Sequence, residues 1–298
     1  MNIRKGSVAA ATLITGTLLA SSAPAAVGTP HLKADVASTP ALSVTMSSKP
    51  TVFKVTGPRT LPAGQVDLTL VAGTGEQEFA VMRLHNGYTM AELRKDFATF
   101  GKSERNPTPA GLAALRHVVH NTTFYGGIDS GVGHKTVSAS VTLPKAGTYY
   151  VIDDNNLPGG GAAPVKLNVT APVATQPAPT VAVVQTATTA KRFTGPVNLP
   201  ASGTIEFHNA STSSPHFMFL QHVKTGTTRK QVINAFKSNG GGPELPGAVG
   251  TDVVFMGLSM TLTYTLPAGD YAELCFFPDL KTGMPHAFMG MVRIVHLS

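Results

Sequence analysis

"YTLPAGDYAELCFFPDLKTGMPHAFMGM", residues Tyr264–Met291, carries a plan the chain uses twice. Its first half, a Leu-Pro turn followed by a strand with a central tyrosine, repeats the earlier "VTLPKAGTYYVIDD" of Val141–Asp154. A second pair of segments repeats in the same order: "TGPRTLPAGQVDLTLVAGTGEQEFAVMRL" (Thr56–Leu84) returns as "TGPVNLPASGTIEFHNASTSSPHFMFLQH" (Thr194–His222). Two recurrences in the same order mean two structural units built alike. Between them, "TAPVATQPAPTVA" (Thr170–Ala182) alternates Pro, Ala and Thr, which cannot build a packed core and predicts a semi-extended linker.

The units read as β-rich. Charged residues are only 13% of the chain, glycines number 30 and prolines 22, a composition of short strands joined by turns. "QVDLTLV", "TIEFHN", "TVSASVTL" and "TLTYTL" alternate at period two, as half-buried strands do. "TMAELRKDFATF" departs from that period: Thr89 and Glu92 have capping-box spacing, and Met90, Leu93, Phe97 and Phe100 return at helical spacing. "TTRKQVINAFKS" is its counterpart in the second unit, and "TPAGLAALRHVVHN" (Thr108–Asn121) adds a helix to the first. The expected fold is therefore all-β, two tandem antiparallel Greek-key sandwiches, each with a short helical insertion. The boundaries expected are a signal peptide over 1–25, a flexible leader over 26–49, a first domain over 50–170, a linker over 171–182 and a second domain over 183–298.

The signal-peptide expectation rests on Arg4 and Lys5, an apolar run from about Val8 to Ala20, and the small-residue exit Ala23-Pro24-Ala25. That run is too short to remain as a membrane-spanning helix, so the mature protein is expected outside the cytoplasm with no integral membrane segment. The net charge of +7 includes the two basic signal residues, and the other basic groups are scattered. Such scatter excludes a nucleic-acid-binding stripe.

Cys275 is the single cysteine of the chain, so no internal disulfide exists and the thiol is free, bridged to another molecule or bound to a metal. Upstream, Asn209 ends one strand and Pro215-His216 opens the next; downstream, His286 and Met291 follow Cys275. A strand ending in Asn, a Pro-His pair, then Tyr-x-x-x-Cys, a loop, and His before Met at the last strand: this constellation resembles the cupredoxins, the plastocyanin-like copper proteins. The resemblance implies one type 1 copper ion in the second domain, with His216, Cys275, His286 and, axially, Met291 as ligands. It also implies one-electron exchange with a redox partner. Two imidazoles, a thiolate and a distant thioether accommodate both Cu(I) and Cu(II). Asn209 is expected to hold the ligand strands together.

The second histidine lies farther from the cysteine than is usual in that family, with ten residues, Phe276–Pro285, between them. Met284 and Met289 compete with Met291 for the axial place. In the first repeat Glu78 is expected at the place of His216 and Asp153 at that of Cys275, with no imidazole matching His286, so that repeat should bind no copper and serve in packing or partner recognition. Two other readings stay open: a module without metal in the cell envelope, and Cu(I) handling by His286 with Met284, Met289 and Met291. Phosphate loops and H-E-x-x-H are absent from the sequence, "GVGH" (Gly131–His134) is an isolated turn, and there are no H-x-H pairs for a trinuclear cluster. No enzyme is expected.

Overall fold

A computed structural model describes residues 38–49, 51–102, 107–131, 136–157, 161–173, 179–238 and 243–298. The expected signal peptide, residues 26–37 of the leader, 174–178 of the linker and His134 lie outside the described residues.

The first repeat contains β1 (Ala41–Ser48), β2 (Thr51–Thr56), β3 (Thr60–Pro62), β4 (Gly64–Ala72), β5 (Glu78–Leu84), α1 (Met90–Gly101), α2 (Pro109–Asn121), β6 (Thr122–Asp129), β7 (Thr136–Leu143), β8 (Gly147–Asp153) and β9 (Val165–Thr170). The second contains β10 (Val183–Ala187), β11 (Phe193–Thr194), β12 (Asn198–Leu199), β13 (Ser202–Asn209), β14 (Phe219–Val223), α3 (Arg229–Ser238), β15 (Glu244–Thr251), β16 (Ser259–Thr265), β17 (Gly269–Leu274) and β18 (Val292–Leu297). Each strand of one repeat has its counterpart nine strands later. The leader expected over 26–49 is corrected by β1, whose Leu42, Val44 and Met46 are buried and which pairs with both β2 and β4. Its own alternation of apolar and polar residues gives it a core face, so it joins the first domain.

The two sandwiches are fused edge to edge. One sheet runs β11-β10-β13-β16-β7-β4-β1-β2, the other β12-β18-β17-β14-β15-β6-β5-β8-β9-β3. The antiparallel pairing expected from the sequence holds for the central strands, while β1 with β4, β10 with β13, β3 with β9 and β12 with β18 pair in parallel at the flanks. At the seam, equivalent strands pair with each other. Leu262 of β16 lies opposite Ala139 of β7, and each stands four residues before the leucine of its Leu-Pro turn, Leu266 or Leu143. In the other sheet Thr251 of β15 lies opposite Ile128 of β6, within Gly250-Thr251-Asp252 and Gly127-Ile128-Asp129. Self-pairing of equivalent positions in antiparallel strands defines a local two-fold axis through both sheets, the arrangement of an isologous dimer within one chain.

One apolar core lies between the sheets and crosses the seam, from Leu42 and Leu68 through Ala139 and Leu262 to Val295. The outer face of the ten-stranded sheet is covered as well: α1 and α2 bury Leu93 and Val118 on Ala80, Met82 and Ile152, and α3 brings Val232 against Phe219 and Ala272. Burial on two faces explains why β5 reads as a nearly continuous apolar run instead of alternating. The helices start where the sequence caps them. Thr89 Oγ1 accepts from the Glu92 amide and Glu92 Oε2 from the Thr89 amide; Thr228 and Gln231 repeat the device ahead of α3. Tyr149 and Tyr271, at equivalent places, each donate to the carbonyl four residues back, of Lys145 and Pro267, tying strand to turn in both copies.

Candidate metal centre

His216, Cys275 and His286 converge. His216 forms a bridge with Val254 just before β14, Cys275 is the residue after β17, and His286 opens a short 3-10 helix, His286–Met289. Cys275 Sγ lies 3.7 Å from His216 Nδ1 and 3.9 Å from His286 Nδ1, and the two Nδ1 atoms are 3.0 Å apart. All three residues are fully buried, as is Met291, whose N–H donates to the His286 carbonyl and whose carbonyl accepts from the Cys275 N–H.

A triangle of that size is one a single metal ion spans with bonds of about 2.0 Å to nitrogen and about 2.3 Å to sulfur. The donor set of two imidazoles, one thiol and a thioether near by suits copper. His286 Nε2 sits 3.5 Å from the Ser214 hydroxyl, while buried His216 Nε2 has no hydrogen-bond partner. Both rings therefore face the centre with the same nitrogen.

Burial sets the protonation of the site. It pushes His216 down to about 4 and His286 down to about 3, the latter aided by the neighbouring imidazole. Both rings are neutral near pH 7 and ready to ligate. Burial likewise raises the Cys275 thiol to about 12, against hydrogen bonds from the backbone of Phe217 and Phe277 that favour the thiolate. Metal uptake must then displace one proton, from sulfur.

The ten residues between Cys275 and His286 are folded out of the way. The Ala287 N–H donates to the Cys275 carbonyl and the His286 N–H to that of Phe277, so His286 sits beside the cysteine. Pro278 and Pro285 face each other across the neck. Within the excursion Asp279 accepts from the amides of Lys281 and Thr282 and from the Thr282 hydroxyl, its own amide donates to the Met284 carbonyl, and Lys191 pairs with its carboxylate at 2.9 Å. Burial alone raises this carboxyl, but those hydrogen bonds and Lys191 outweigh it and hold Asp279 well below the usual carboxylate range. The first repeat closes over the excursion: Arg116 of α2 donates to the Leu280 carbonyl at 3.1 Å, and a Cβ at Gly283, where φ is +72°, meets Pro107 at 2.6 Å. No sequence motif marks Lys191, Arg116 or Asp279: Asp279 stands as an ordinary residue of the excursion, and the two bases lie far from it in the chain.

Asn209 is fully buried at the end of β13. Its amide nitrogen donates to the Ser214 and Val254 carbonyls and its oxygen accepts from the Ser211 amide. It thus fixes both ends of the segment that delivers His216. Met284 is 46% exposed and Met289 lies in the 3-10 helix with its carbonyl on Arg192.

In the first repeat the ladder shifts one expectation. Phe79 lies opposite Asp153, whereas Phe219 lies opposite Leu274; one step further, Met218 faces Cys275. Asp153 and Cys275 being equivalent, Gln77 and not Glu78 occupies the place of His216. The sequence alignment slipped by one because the loops ahead of the two strands differ in length.

No protein-family model and no curated protein matches the chain. Among solved structures it is similar to auracyanin B, at 21% identity over 41% of this chain and 92% of that one, TM-score 0.28. It is also similar to rusticyanin from Thiobacillus ferrooxidans, at 16% identity over 39% of this chain and 75% of that one, TM-score 0.25. A copper-containing nitrite reductase from Thermus scotoductus aligns at 10% identity over 87% of this chain and 61% of that one, TM-score 0.21. The centre described above is argued from its own donor geometry. The expectation of no enzyme is corrected here: a nitrite reductase and a multicopper oxidase, both enzymes, are among the structures that span 87% of the chain. The lack of H-x-H pairs in the sequence bears on a trinuclear cluster alone. No helix among the described residues is long and apolar enough to cross a membrane.

Proposed function

We propose that the protein is exported and exchanges single electrons through one copper ion held by His216, Cys275, His286 and, as the weak axial group, Met291. The observation that carries this reading is the convergence of one sulfur and two Nδ1 atoms, all within 3.9 Å, in a fully buried pocket. Copper there supplies a one-electron couple. The chain holds the donors in place beforehand: Asn209 fixes the His216 segment, Asp279 closes the excursion that returns His286, and the surrounding Phe277, Met218 and Val254 exclude water. A rigid, dry pocket keeps reorganisation small when charge changes. The convergence favours this over a module without metal. It also favours it over Cu(I) handling by His286 with Met284, Met289 and Met291, since Met284 lies exposed on the excursion, away from the three buried donors that converge.

The partner is a redox protein or small redox couple reaching the rim of the second domain. Cu(II) added to the purified, metal-free protein should produce an intense visible thiolate charge-transfer band, reversibly bleached by a one-electron reductant and absent in Cys275→Ala. A colourless protein that takes up no stoichiometric copper would sink the reading. Export is checked separately by sequencing the N-terminus of the mature protein, expected near Ala26.

A further inference from the structure

A second group of ligating side chains lies beside the seam. Glu78 starts β5 opposite Asp129, Asp154 follows the end of β8, and Asp252 follows the end of β15, its amide donating to the Gly127 carbonyl at 3.2 Å. The ligating oxygens of Glu78, Asp154 and Asp252 all lie within 4.8 Å of one another. Asp252 is fully buried and Asp154 is 7% exposed. Asp252 Oδ2 and Asp154 Oδ1 are buried with no hydrogen-bond partner, and none of the three carboxylates takes part in an ion pair among the described residues. Two orphaned carboxylate oxygens, on buried Asp154 and Asp252 beside half-buried Glu78, demand positive charge, because a buried anion left uncompensated is strongly destabilising.

We propose that Glu78, Asp154 and Asp252 form a binding site for a hard divalent cation, calcium above all, that clamps the two repeats together beside their local two-fold axis. All-oxygen donors, with no imidazole or thiol, select Ca²⁺, Mg²⁺ or Mn²⁺ over copper. Calcium bonds of about 2.3–2.6 Å span any pair of oxygens within that 4.8 Å limit, and calcium accepts a flexible cage of carboxylates, whereas magnesium demands near-octahedral geometry and keeps several waters. Two ligands come from the first repeat and one from the second, so occupancy ties β5 and β8 to β15. Burial, and then mutual repulsion, raises the carboxyls of Glu78 and Asp252 well above their ordinary range. Without a cation, protons must neutralise them.

This site is independent of the copper reading, and its test is performed on full-length protein and repeated on Cys275→Ala. Chelator-treated protein at neutral pH is titrated with CaCl₂ by calorimetry and followed by thermal denaturation, with MnCl₂ as a paramagnetic probe read by electron paramagnetic resonance. The expected result is one calcium per chain, with Kd about 10⁻³ M or tighter, a raised Tm, and displacement of bound Mn²⁺ by Ca²⁺. Asp252→Asn and Glu78→Gln should each weaken binding by about tenfold or more, since affinity follows the count of charged ligands. Wild-type protein with no heat, no bound manganese and no Tm change at about 10 mM cation overturns the proposal. So does wild-type affinity in both variants, and so does a Tm that responds to pH between 5 and 8 but to no cation, which would mean protons alone fill the cluster.

Discussion

Replacing Asn209 with alanine tests how the structure presents His216. The side chain makes three hydrogen bonds, at 3.1 Å to the Ser214 carbonyl, 2.8 Å to the Val254 carbonyl and 3.0 Å from the Ser211 amide. At about 1 kcal/mol net each they contribute about 3 kcal/mol. The Val254 carbonyl keeps a bond from the His216 amide. The buried Ser214 carbonyl and Ser211 amide lose theirs, which raises the loss towards about 5 kcal/mol. For a chain of this size that is a fall in Tm of roughly 10 °C, measured by circular dichroism on metal-free protein, with C_m in urea as a second reading. Copper uptake should weaken with it, because the 211–216 segment no longer holds one ring at its post. Asn209→Asp separates hydrogen bonding from packing. The two side chains have nearly the same volume, yet a carboxylate faces two carbonyl oxygens, so Asp should cost at least as much as Ala. If Ala costs under about 1 kcal/mol and Asp is harmless, the residue merely fills space and the argument fails.

Other outcomes follow from the same geometry. Because burial holds His216 and His286 at about 4 and 3, the unfolded chain binds more protons than the folded one below the ordinary histidine value of about 6.5. Metal-free protein should therefore lose about 1.4 kcal/mol per pH unit per histidine as pH falls from 6.5 to 4, and a flat urea C_m across that range refutes it. Tyr149→Phe and Tyr271→Phe should each cost about 1 kcal/mol, equally, since both hydroxyls serve the same strand-to-turn bond; a loss in one copy alone would refute the equivalence. On the proposed copper reading, Met291→Leu should keep the visible band and raise the reduction potential by voltammetry, because the thioether proposed to stabilise Cu(II) is gone; an unchanged potential removes Met291 from the proposed ligands.

Much of this was legible in the sequence. The Leu-Pro turn with its tyrosine announced two copies of one unit, and the capping residues Thr89 and Glu92 announced α1, because both signals are local. Nothing local reports that β6 meets β15 and β7 meets β16. Those pairings join residues more than a hundred positions apart and depend on which strand edges remain open once each unit has formed. The separation of Cys275 from His286 was legible only as a length. Its closure depends on Asp279 capping its own turn and on Lys191 and Arg116 arriving from distant segments. The clustered carboxylates are scattered in the sequence as Glu78, Asp154 and Asp252, three ordinary acids until the seam gathers them.

The pinched neck at Pro278 and Pro285 separates two tasks that a short loop must combine. Bonds at the neck seat the imidazole, while the Met284 side chain, exposed further out, can be exchanged without touching those bonds. Seating of the ring and chemistry of the tip are thereby decoupled at that one position.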